Sequence, residues 1–208
     1  MMDIAIIGAG NVGTALAGAL ARAGHRVTIS AAHAEHAATA AQATGAGAAD
    51  TNREAIAAGD VVILAVPGTA VHQIVDEVGN ELAGKVVVDV SNRPTPDPSG
   101  AATSAAEELQ AKVPEAAVVK AFNTAFATRQ ADPVVGGVAA DGFVAGDDDA
   151  AKQAVLDIVE SIGFRPVDAG SLAASRTLEG MAWLNISRNM QGGTWQDAWV
   201  LLGPDSRS

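Results

Sequence analysis

The chain has 208 residues, enough for one domain of ordinary to large size with an apolar core of its own. Its net charge is −11 without any cluster of Lys or Arg, which excludes a phosphate-backbone partner, so we expect no nucleic-acid binding. The absence of cysteine excludes disulfides, thiolate nucleophiles and cysteine-ligated metals. Apolar runs stay well short of the ~20 residues of a membrane span, so we expect a soluble, cytoplasmic protein.

A glycine-rich turn near the amino end carries the clearest functional signal. The apolar run at residues 4–7 predicts a strand buried on both faces of a parallel sheet, and residues 11–22 have helical spacing. In the turn between them, Gly8 allows the tight bend, Gly10 lets a pyrophosphate approach the backbone, and Gly13 lets the helix pack against the strand. The predicted dinucleotide-binding turn consists of Gly8, Ala9, Gly10, Asn11, Val12 and Gly13.

The end of the second predicted strand, residues 26–30, bears on the choice of nucleotide. A site that prefers NAD usually places a carboxylate about 20 residues beyond the glycines, but Ser30 and Ala31 stand here. This missing charge favours NADP, and NAD remains possible because no arginine follows to bind a 2′-phosphate. His33 and His36 are candidate donors to that phosphate; as surface histidines on an alanine-rich helix they are more often only solvated.

Alternating strands and helices predict a doubly wound parallel sheet of the Rossmann type over residues 1–168, followed by a small helical extension over 169–208. Further strands are predicted at residues 60–66, 85–90, 117–122, 142–146 and 164–167, and further helices at 34–43, 54–58, 69–82 and 104–112. In such a sheet, ligands lie outside the carboxyl ends of the strands. The ends of the later strands therefore place Val66, Pro67, Asn92 and Asn123 in one crevice with the glycine turn and Ser30.

Several segments outside the crevice have simpler interpretations. The acids at 147–149 are predicted to cap the helix that follows them rather than to bind a metal. Lys120 is expected at a surface-facing edge position, and residues 129–141 as a surface loop. Residues 171–202 are predicted to be helical with a break at Gly192-Gly193, which puts Trp195 and Trp199 on one face. Because that face would leave an apolar patch, we expect a homodimer.

The crevice offers no nucleophile with an adjacent base, no metal cluster and no pair of carboxylates in the sequence. Reduction of a carbonyl usually needs a proton donor, whereas hydride exchange between two ring cofactors needs mainly alignment and close approach. The residues therefore favour an oxidoreductase without a catalytic side chain.

Five segments resemble the NADPH-dependent deazaflavin reductases, also called F-420H2:NADP oxidoreductases. They are GAGNVG at 8–13, AVP at 65–67, KAFNT at 120–124, FVAGDDDAAKQAV at 143–155 and GFRPVDAGSLAASRTLE at 163–179. The resemblance implies direct hydride transfer between NADP(H) and the deazaflavin coenzyme F420, with Ala9 to Val12 at the pyrophosphate and Val66 and Pro67 near the nicotinamide. The chain departs from the family in one place, since Ala31 and Ala32 replace a Ser-Arg pair that holds the 2′-phosphate.

Two other functions remain open from the residues. The crevice could serve an NAD(P)H-dependent reductase of a flavin, quinone or metal complex, or a nucleotide-sensing protein without turnover. Hydroxyacid and imine reductases need a substantial helical domain after the sheet, and residues 169–208 are too few for one.

Overall fold

The computed structural model describes residues 1–95 and 102–203 and contains one large sheet flanked by helices. The strands are β1 Asp3–Ile7, β2 Arg26–Ser30, β3 Gly47–Ala48, β4 Val61–Leu64, β5 Val86–Asp89, β6 Ala117–Ala121, β7 Val134–Val135, β8 Val138–Ala139, β9 Asp141–Gly146 and β10 Arg165–Gly170. The helices are α1 Asn11–Arg22, α2 Ala34–Thr44, α3 Asn52–Ala57, α4 Gly68–Val78, α5 Ala105–Lys112, α6 Ala127–Ala131, α7 Asp149–Ser161 and α8 Ser175–Met190. Short 3₁₀ turns lie at Gly79–Leu82 and Leu172–Ala174.

The large sheet has eight strands in the order β10-β9-β6-β5-β4-β1-β2-β3. The six neighbouring strands β3, β2, β1, β4, β5 and β6 all pair in parallel. Their order along the sheet reverses between β1 and β4, which confirms the predicted doubly wound sheet. One feature of the sheet was not predicted: β9 pairs antiparallel with β6, and β10 pairs parallel with β9. The reversal follows from the connection after β6, since α6 and the β7-β8 hairpin replace a long crossover helix.

Both faces of the sheet are buried, as the unbroken apolar run of β1 predicts. Ile4 and Ile6 pack in one core with α1 and α7, whereas Ala5 and Ile7 pack in the opposite core with α3, α4 and α5. The helical contributions to the two cores include Leu16, Leu20, Val155 and Ile158 on one face and Ile56, Val71, Val75 and Leu109 on the other. This two-sided burial holds the carboxyl ends of the central strands at one edge.

The predicted surface loop at 129–141 is wrong in part. The chain forms α6 at its start and then the β7-β8 hairpin, which turns through Gly136 and Gly137 at positive φ. Such glycine pairs favour tight hairpin turns because they adopt left-handed conformations without a steric cost. The valines of this hairpin are exposed, so no buried apolar face marks the two strands in the sequence.

The predicted helix over 171–202 is also wrong beyond Met190. Helix α8 ends there, and Trp195 has a φ of 58°, so Trp195 and Trp199 do not share a helical face. The turn is stabilised by the backbone N–H of Trp195, which donates to Asn189 Oδ1 at 2.7 Å. After β5 the sequence at 91–98 contains three prolines and is predicted to be a stiff loop, and residues 96–98 of it lie outside the described residues.

The acidic triplet caps a helix, as predicted. Asp148 is the N-cap of α7, and its carboxylate accepts the backbone N–H of Ala151 at 2.8 Å. Because β9 runs antiparallel, it delivers this triplet to the edge opposite the carboxyl ends of β1 to β6. Within residues 1–95 and 102–203, no helix combines the length and apolar character needed to cross a membrane.

Candidate functional site

The ends of β1, β2, β4, β5 and β6 form a continuous row at one edge of the sheet, which we call the crevice. The backbone N–H of Gly8 donates to the carbonyl of Ser30 at 2.9 Å, and the other side of Gly8 packs against Val66. Asn123 Nδ2 donates to Asn92 Oδ1 at 2.9 Å, which joins the last two strand ends. The structure thus brings together the strand ends that the sequence predicts to converge.

The three glycines of the first turn have different surroundings. Gly8 has a φ of 114°, and a Cβ on it would overlap the carbonyl of Ala65. A Cβ on Gly13 would overlap the carbonyl oxygen of Gly8. By contrast, a Cβ on Gly10 would meet nothing within 4 Å. Gly8 and Gly13 are therefore required for packing, whereas Gly10 leaves open space in front of the backbone, as a bound pyrophosphate needs.

The amino end of α1 faces this open space without a protein cap. Gly10 is its N-cap and supplies no side-chain cap, no side chain among residues 1–95 and 102–203 is seen to accept from its first turn, and that turn carries no acid. Helices α3, α5 and α7 instead have side-chain caps from Thr51, Ser104 and Asp148. Unpaired N–H groups and the positive end of the helix dipole attract an anion, so this end of α1 fits a phosphate. The flanking side chains are half-buried at Ala9 and Val12 and exposed at Asn11.

The end of β2 combines one buried hydroxyl with two exposed rings. Ser30 is fully buried, and its hydroxyl donates to Asn52 Oδ1 at 2.9 Å. Ala31 is half-buried. His33, the N-cap of α2, and His36, in its first turn, are exposed with ring centroids 5.3 Å apart. The side chain of Ser30 therefore fixes the strand end, while the two histidines present N–H groups to the outside.

The other end of the crevice holds buried polar atoms that lack a partner within the described residues. They are Asn123 Oδ1 and Ser91 Oγ, which are shielded from water and accept no hydrogen bond from the protein. Buried polar groups are normally satisfied, and each one left unpaired costs about 1–3 kcal/mol. A ligand in the crevice would supply the missing bonds. Val66 is half-buried and Pro67 is exposed as the N-cap of α4, next to these atoms along the row.

The residue before Asn123 is strained. Phe122 has a φ of 63°, a region that costs a bulky residue on the order of 1–3 kcal/mol. Its ring packs against Phe164 with centroids 6.4 Å apart, and its carbonyl accepts from Gln130 Nε2 at 3.1 Å. These contacts hold the bend that carries the chain from β6 to Asn123. The sequence gives no signal for the bend, because an aromatic residue at positive φ is unexpected.

Lys120 corrects another prediction, since it does not lie at a surface edge. The lysine is fully buried, and its ammonium donates to Asp89 Oδ2 at 2.8 Å, to the carbonyl of Ser91 at 2.5 Å and to Glu179 Oε1 at 3.0 Å. The edge prediction fails because β9 adds to the outside of β6. One signal was available: Asp89 and Lys120 interrupt two otherwise apolar strands, and they are direct partners in the β5-β6 register.

Cavity size alone does not locate this site. A cavity of about 870 Å³ lies at the opposite edge and is lined by Lys85, Glu115 and Asp147 among others. A smaller cavity of about 240 Å³ adjoins the crevice between α4 and the chain after β5, and Ser91 and Asn92 line it. Among the residues that the structure describes, no group of three or more His, Asp or Glu is arranged to hold a metal ion.

Known proteins resemble this chain in both sequence and fold. A family model described as NADP oxidoreductase, coenzyme F420-dependent, matches residues 3–93. The F420-dependent NADP reductase of Methanocaldococcus jannaschii is 33% identical over 67% of this chain, and the match covers 66% of that protein, just under two thirds of its length. The protein of the same name from Methanothermobacter marburgensis is 31% identical over 91% of this chain and 93% of its own.

The fold gives the same result over the whole chain. The crystal structure of a putative F420-dependent NADP reductase from Arthrobacter sp. FB24 superimposes with a TM-score of 0.85 and 29% identity, covering 98% of this chain and 100% of that one. The agreement therefore includes the C-terminal helix as well as the nucleotide-binding sheet. By sequence and by fold, the chain belongs to the family of coenzyme F420-dependent NADP oxidoreductases.

Proposed function

We propose that this protein transfers a hydride directly between NADP(H) and the deazaflavin coenzyme F420. The observation that carries the proposal is the open space at Gly10 in front of the uncapped end of α1, at one end of a row of polar strand ends. The names of the relatives from Methanocaldococcus and Methanothermobacter support the choice of both coenzymes.

The nucleotide would lie along the crevice with its adenosine at the end of β2 and its nicotinamide towards the ends of β4, β5 and β6. Its pyrophosphate would lie against the turn from Gly8 to Gly13, and its adenosine ribose beside Ser30, Ala31, His33 and His36. Its nicotinamide would lie beside Val66 and Pro67, close to Asn92 and Asn123. When bound, the nicotinamide supplies or accepts the hydride, and the deazaflavin is its partner in the exchange.

The residues of the chain would act by alignment rather than by proton transfer. Asn123 Oδ1 and Ser91 Oγ are buried acceptors that would receive N–H or O–H groups of a bound ring and so fix its orientation. The half-buried Val66 would press against a ring face and exclude water from it. On this proposal, neither Lys120 nor any other buried ion of the site exchanges a proton with a substrate, because each is already bonded within the protein.

The test mixes purified protein with NADPH or with NADH, each with and without oxidised coenzyme F420, and follows the visible absorbance of the deazaflavin. We expect bleaching with NADPH and slower or no bleaching with NADH. The Gly10→Ala variant serves as the matched control, because its Cβ would project into the space assigned to the pyrophosphate without meeting protein atoms.

Two outcomes would favour the alternatives. Oxidation of NADPH with a flavin, a quinone or a ferric complex, but not with the deazaflavin, would indicate a reductase of another acceptor in the same crevice. Binding of NADPH without oxidation by any of these acceptors would indicate a nucleotide sensor. Either result would contradict the deazaflavin assignment while leaving the nucleotide site in place.

We also propose that the protein is a homodimer, built from residues 1–168 as the nucleotide-binding domain and 169–208 as the helical extension. Support comes from large apolar side chains exposed on the β7-β8 hairpin, α8 and the tail after it. They are Val134, Val135, Val138, Leu184, Met190, Trp195, Leu201 and Leu202. Light scattering after size exclusion should give twice the chain mass, and Val135→Glu should give a monomer. A monomeric wild-type protein would contradict the proposal.

A further inference from the structure

Helix α8 contacts the chain that follows β5 through three side chains on one of its faces. Arg176 donates two hydrogen bonds to Glu107, at 2.6 and 2.8 Å. Trp183 Nε1 donates to the carbonyl of Arg93 at 3.1 Å. Glu179 lies between them, three and four residues away, which places all three side chains on the same side of the helix.

Glu179 holds two separate backbone positions after β5. Its Oε1 accepts the backbone N–H of Ala105 at 2.9 Å, and its Oε2 accepts the N–H of Arg93 at 3.4 Å. Glu179 is 4% exposed as a residue, so its carboxylate has little competition from water. Because Arg93 directly follows Asn92, this carboxylate sets the position of the chain immediately beside the crevice.

The same carboxylate reaches the crevice by a second route through Lys120. The ammonium of Lys120 joins Glu179 to the carbonyl of Ser91, while Asp89 Oδ1 accepts the N–H of Ser91 at 2.9 Å. Both backbone groups of Ser91 are thereby fixed by buried ions. Ser91 carries one of the two unpartnered polar atoms of the crevice, and its neighbour Asn92 is bonded to the residue that carries the other.

The buried charges of Lys120, Asp89 and Glu179 give the contact between α8 and the chain after β5 a fixed geometry. One ammonium and two carboxylates are buried together, and backbone N–H groups of Ser91, Arg93 and Ala105 complete the bonds of the carboxylates. Apolar side chains of the same volume would often attach a helix equally well, because the cost of desolvating ions offsets their attraction. Hydrogen bonds to ions add fixed geometry, which an apolar contact lacks.

We infer that Glu179 is a positioning residue: acting through Lys120 and the N–H of Arg93, it holds Ser91 and Asn92 where the second ring cofactor must align with the nicotinamide. The inference rests on the proposed function and extends it to the C-terminal helix. It assigns the extension a role in aligning the two rings, and not in holding the pyrophosphate and the adenosine ribose at the other end of the nucleotide.

The test compares Glu179→Gln with a matched control, Asp141→Asn. Asp141 is also a buried carboxylate: it pairs with Arg165 at 2.6 Å and accepts the N–H of Leu201 at 2.5 Å, so it holds the tail rather than the crevice. For Glu179→Gln we expect kcat with the acceptor to fall about 10- to 100-fold, as for a misplaced reacting group. The Kd for NADPH should rise far less than kcat falls. Glu179 contacts the chain beside the nicotinamide end of the crevice, whereas the pyrophosphate and the adenosine ribose are proposed to bind at Gly10 and Ser30.

Hydrogen–deuterium exchange gives a readout that does not depend on turnover. In Glu179→Gln the amides of Arg93 and Ala105 should exchange faster, because an uncharged carboxamide accepts more weakly than a carboxylate. The Asp141→Asn control should leave these amides and kcat unchanged even if its melting temperature falls. Trp183→Phe, which removes the indole N–H bonded to Arg93 together with part of the ring, should also lower kcat, and it covers the case in which Glu179→Gln does not fold.

The inference is overturned if kcat in Glu179→Gln falls no further than in Asp141→Asn, or if the Kd for NADPH rises by as much as kcat falls. If the wild-type protein turns over with none of the acceptors, the proposed function fails separately. The exchange of the two amides then decides the positioning role, and unchanged rates in both Glu179→Gln and Trp183→Phe would exclude it.

Discussion

The Cα of Gly13 packs directly against the carbonyl of Gly8, so tightly that a methyl group on Gly13 would overlap the oxygen. The contact joins the first turn of α1 to the end of β1 and leaves the backbone of Gly10 as the accessible part of the turn. Two glycines of one motif therefore contribute to packing, and the third is the one that we propose contributes to binding.

Alanine substitutions should separate these two contributions. Gly13→Ala should lower the free energy of unfolding by roughly 1–3 kcal/mol or more, as overpacked sites do. Gly10→Ala should unfold like the wild type, since Gly10 has an ordinary φ of −78° and open space around its Cα, yet it should lose most of its NADPH affinity. Urea unfolding and calorimetric titration measure the two quantities. Equal loss of stability in both variants would contradict this division.

The end of β2 should accept an engineered phosphate ligand. Ala32 is exposed beside His33, and an arginine at this position would add a bidentate, charge-assisted donor for the 2′-phosphate of NADP. We expect Ala32→Arg to tighten NADPH binding about tenfold, equivalent to roughly 1.4 kcal/mol, without tightening NADH binding.

His33→Ala combined with His36→Ala is the complementary change. If the two exposed histidines donate to the phosphate, the double variant should bind NADPH more weakly and NADH unchanged. Equal changes in the affinities for NADPH and NADH would show that the two histidines do not bind the 2′-phosphate.

The Glu107–Arg176 pair should make stability depend on pH in acid. Hydrogen bonds from the Arg176 guanidinium, aided by those from Ser104, lower the pKa of Glu107 from 4.5 to about 2. A carboxylate with a depressed pKa stabilises the fold fully above pH 4.5, and this contribution disappears as the pH falls towards 2. After allowance for solvent screening, we expect it to be about 1 kcal/mol.

Glu107→Gln is the control for this pH dependence. Its free energy of unfolding should be lower than that of the wild type at pH 7, and the difference should vanish between pH 4.5 and pH 2. Urea titrations over that range provide the measurement, and a difference that stays constant with pH would refute the assignment.

The cap of α7 gives a prediction about stability alone. Asp148→Ala removes the acceptor for the N–H of Ala151 and should cost about 1 kcal/mol of unfolding free energy. Asp149→Ala should cost less than about 0.5 kcal/mol, because its side chain is 97% exposed and makes a surface ion pair with Lys152. If divalent metal ions raised the melting temperature of the wild type but not of Asp148→Ala, the acidic triplet would bind a metal ion in addition to capping α7.

Sequence reasoning succeeded where one local pattern decides the structure. The turn from Gly8 to Gly13, the apolar strands and the cap at Asp148 each follow from spacing and from hydrogen-bonding needs within a few residues. These local structures depend little on contacts with the rest of the chain, so the strand ends that form the crevice could be predicted from the sequence.

Sequence reasoning failed where contacts with distant segments determine the structure. Lys120 was expected at the surface because nothing near it in sequence shows that β9 will cover β6, or that Glu179 will arrive from α8. Trp195 is predicted on a helix because nothing near it in sequence shows that the ring of Phe126 and the hydroxyl of Thr128 will contact it. The bend at Phe122 belongs to the same class, since contacts with Phe164 and Gln130 hold it.

The late position of Glu179 in the chain has a consequence for biosynthesis. A nascent chain that has not yet reached α8 already contains β1 to β6 and the whole glycine turn, and domains generally fold from the amino end during synthesis. Lys120 then has Asp89 as a partner but lacks its second carboxylate. We expect ribosome-bound chains to acquire nucleotide affinity first and to complete the acceptor side only when translation of α8 is finished.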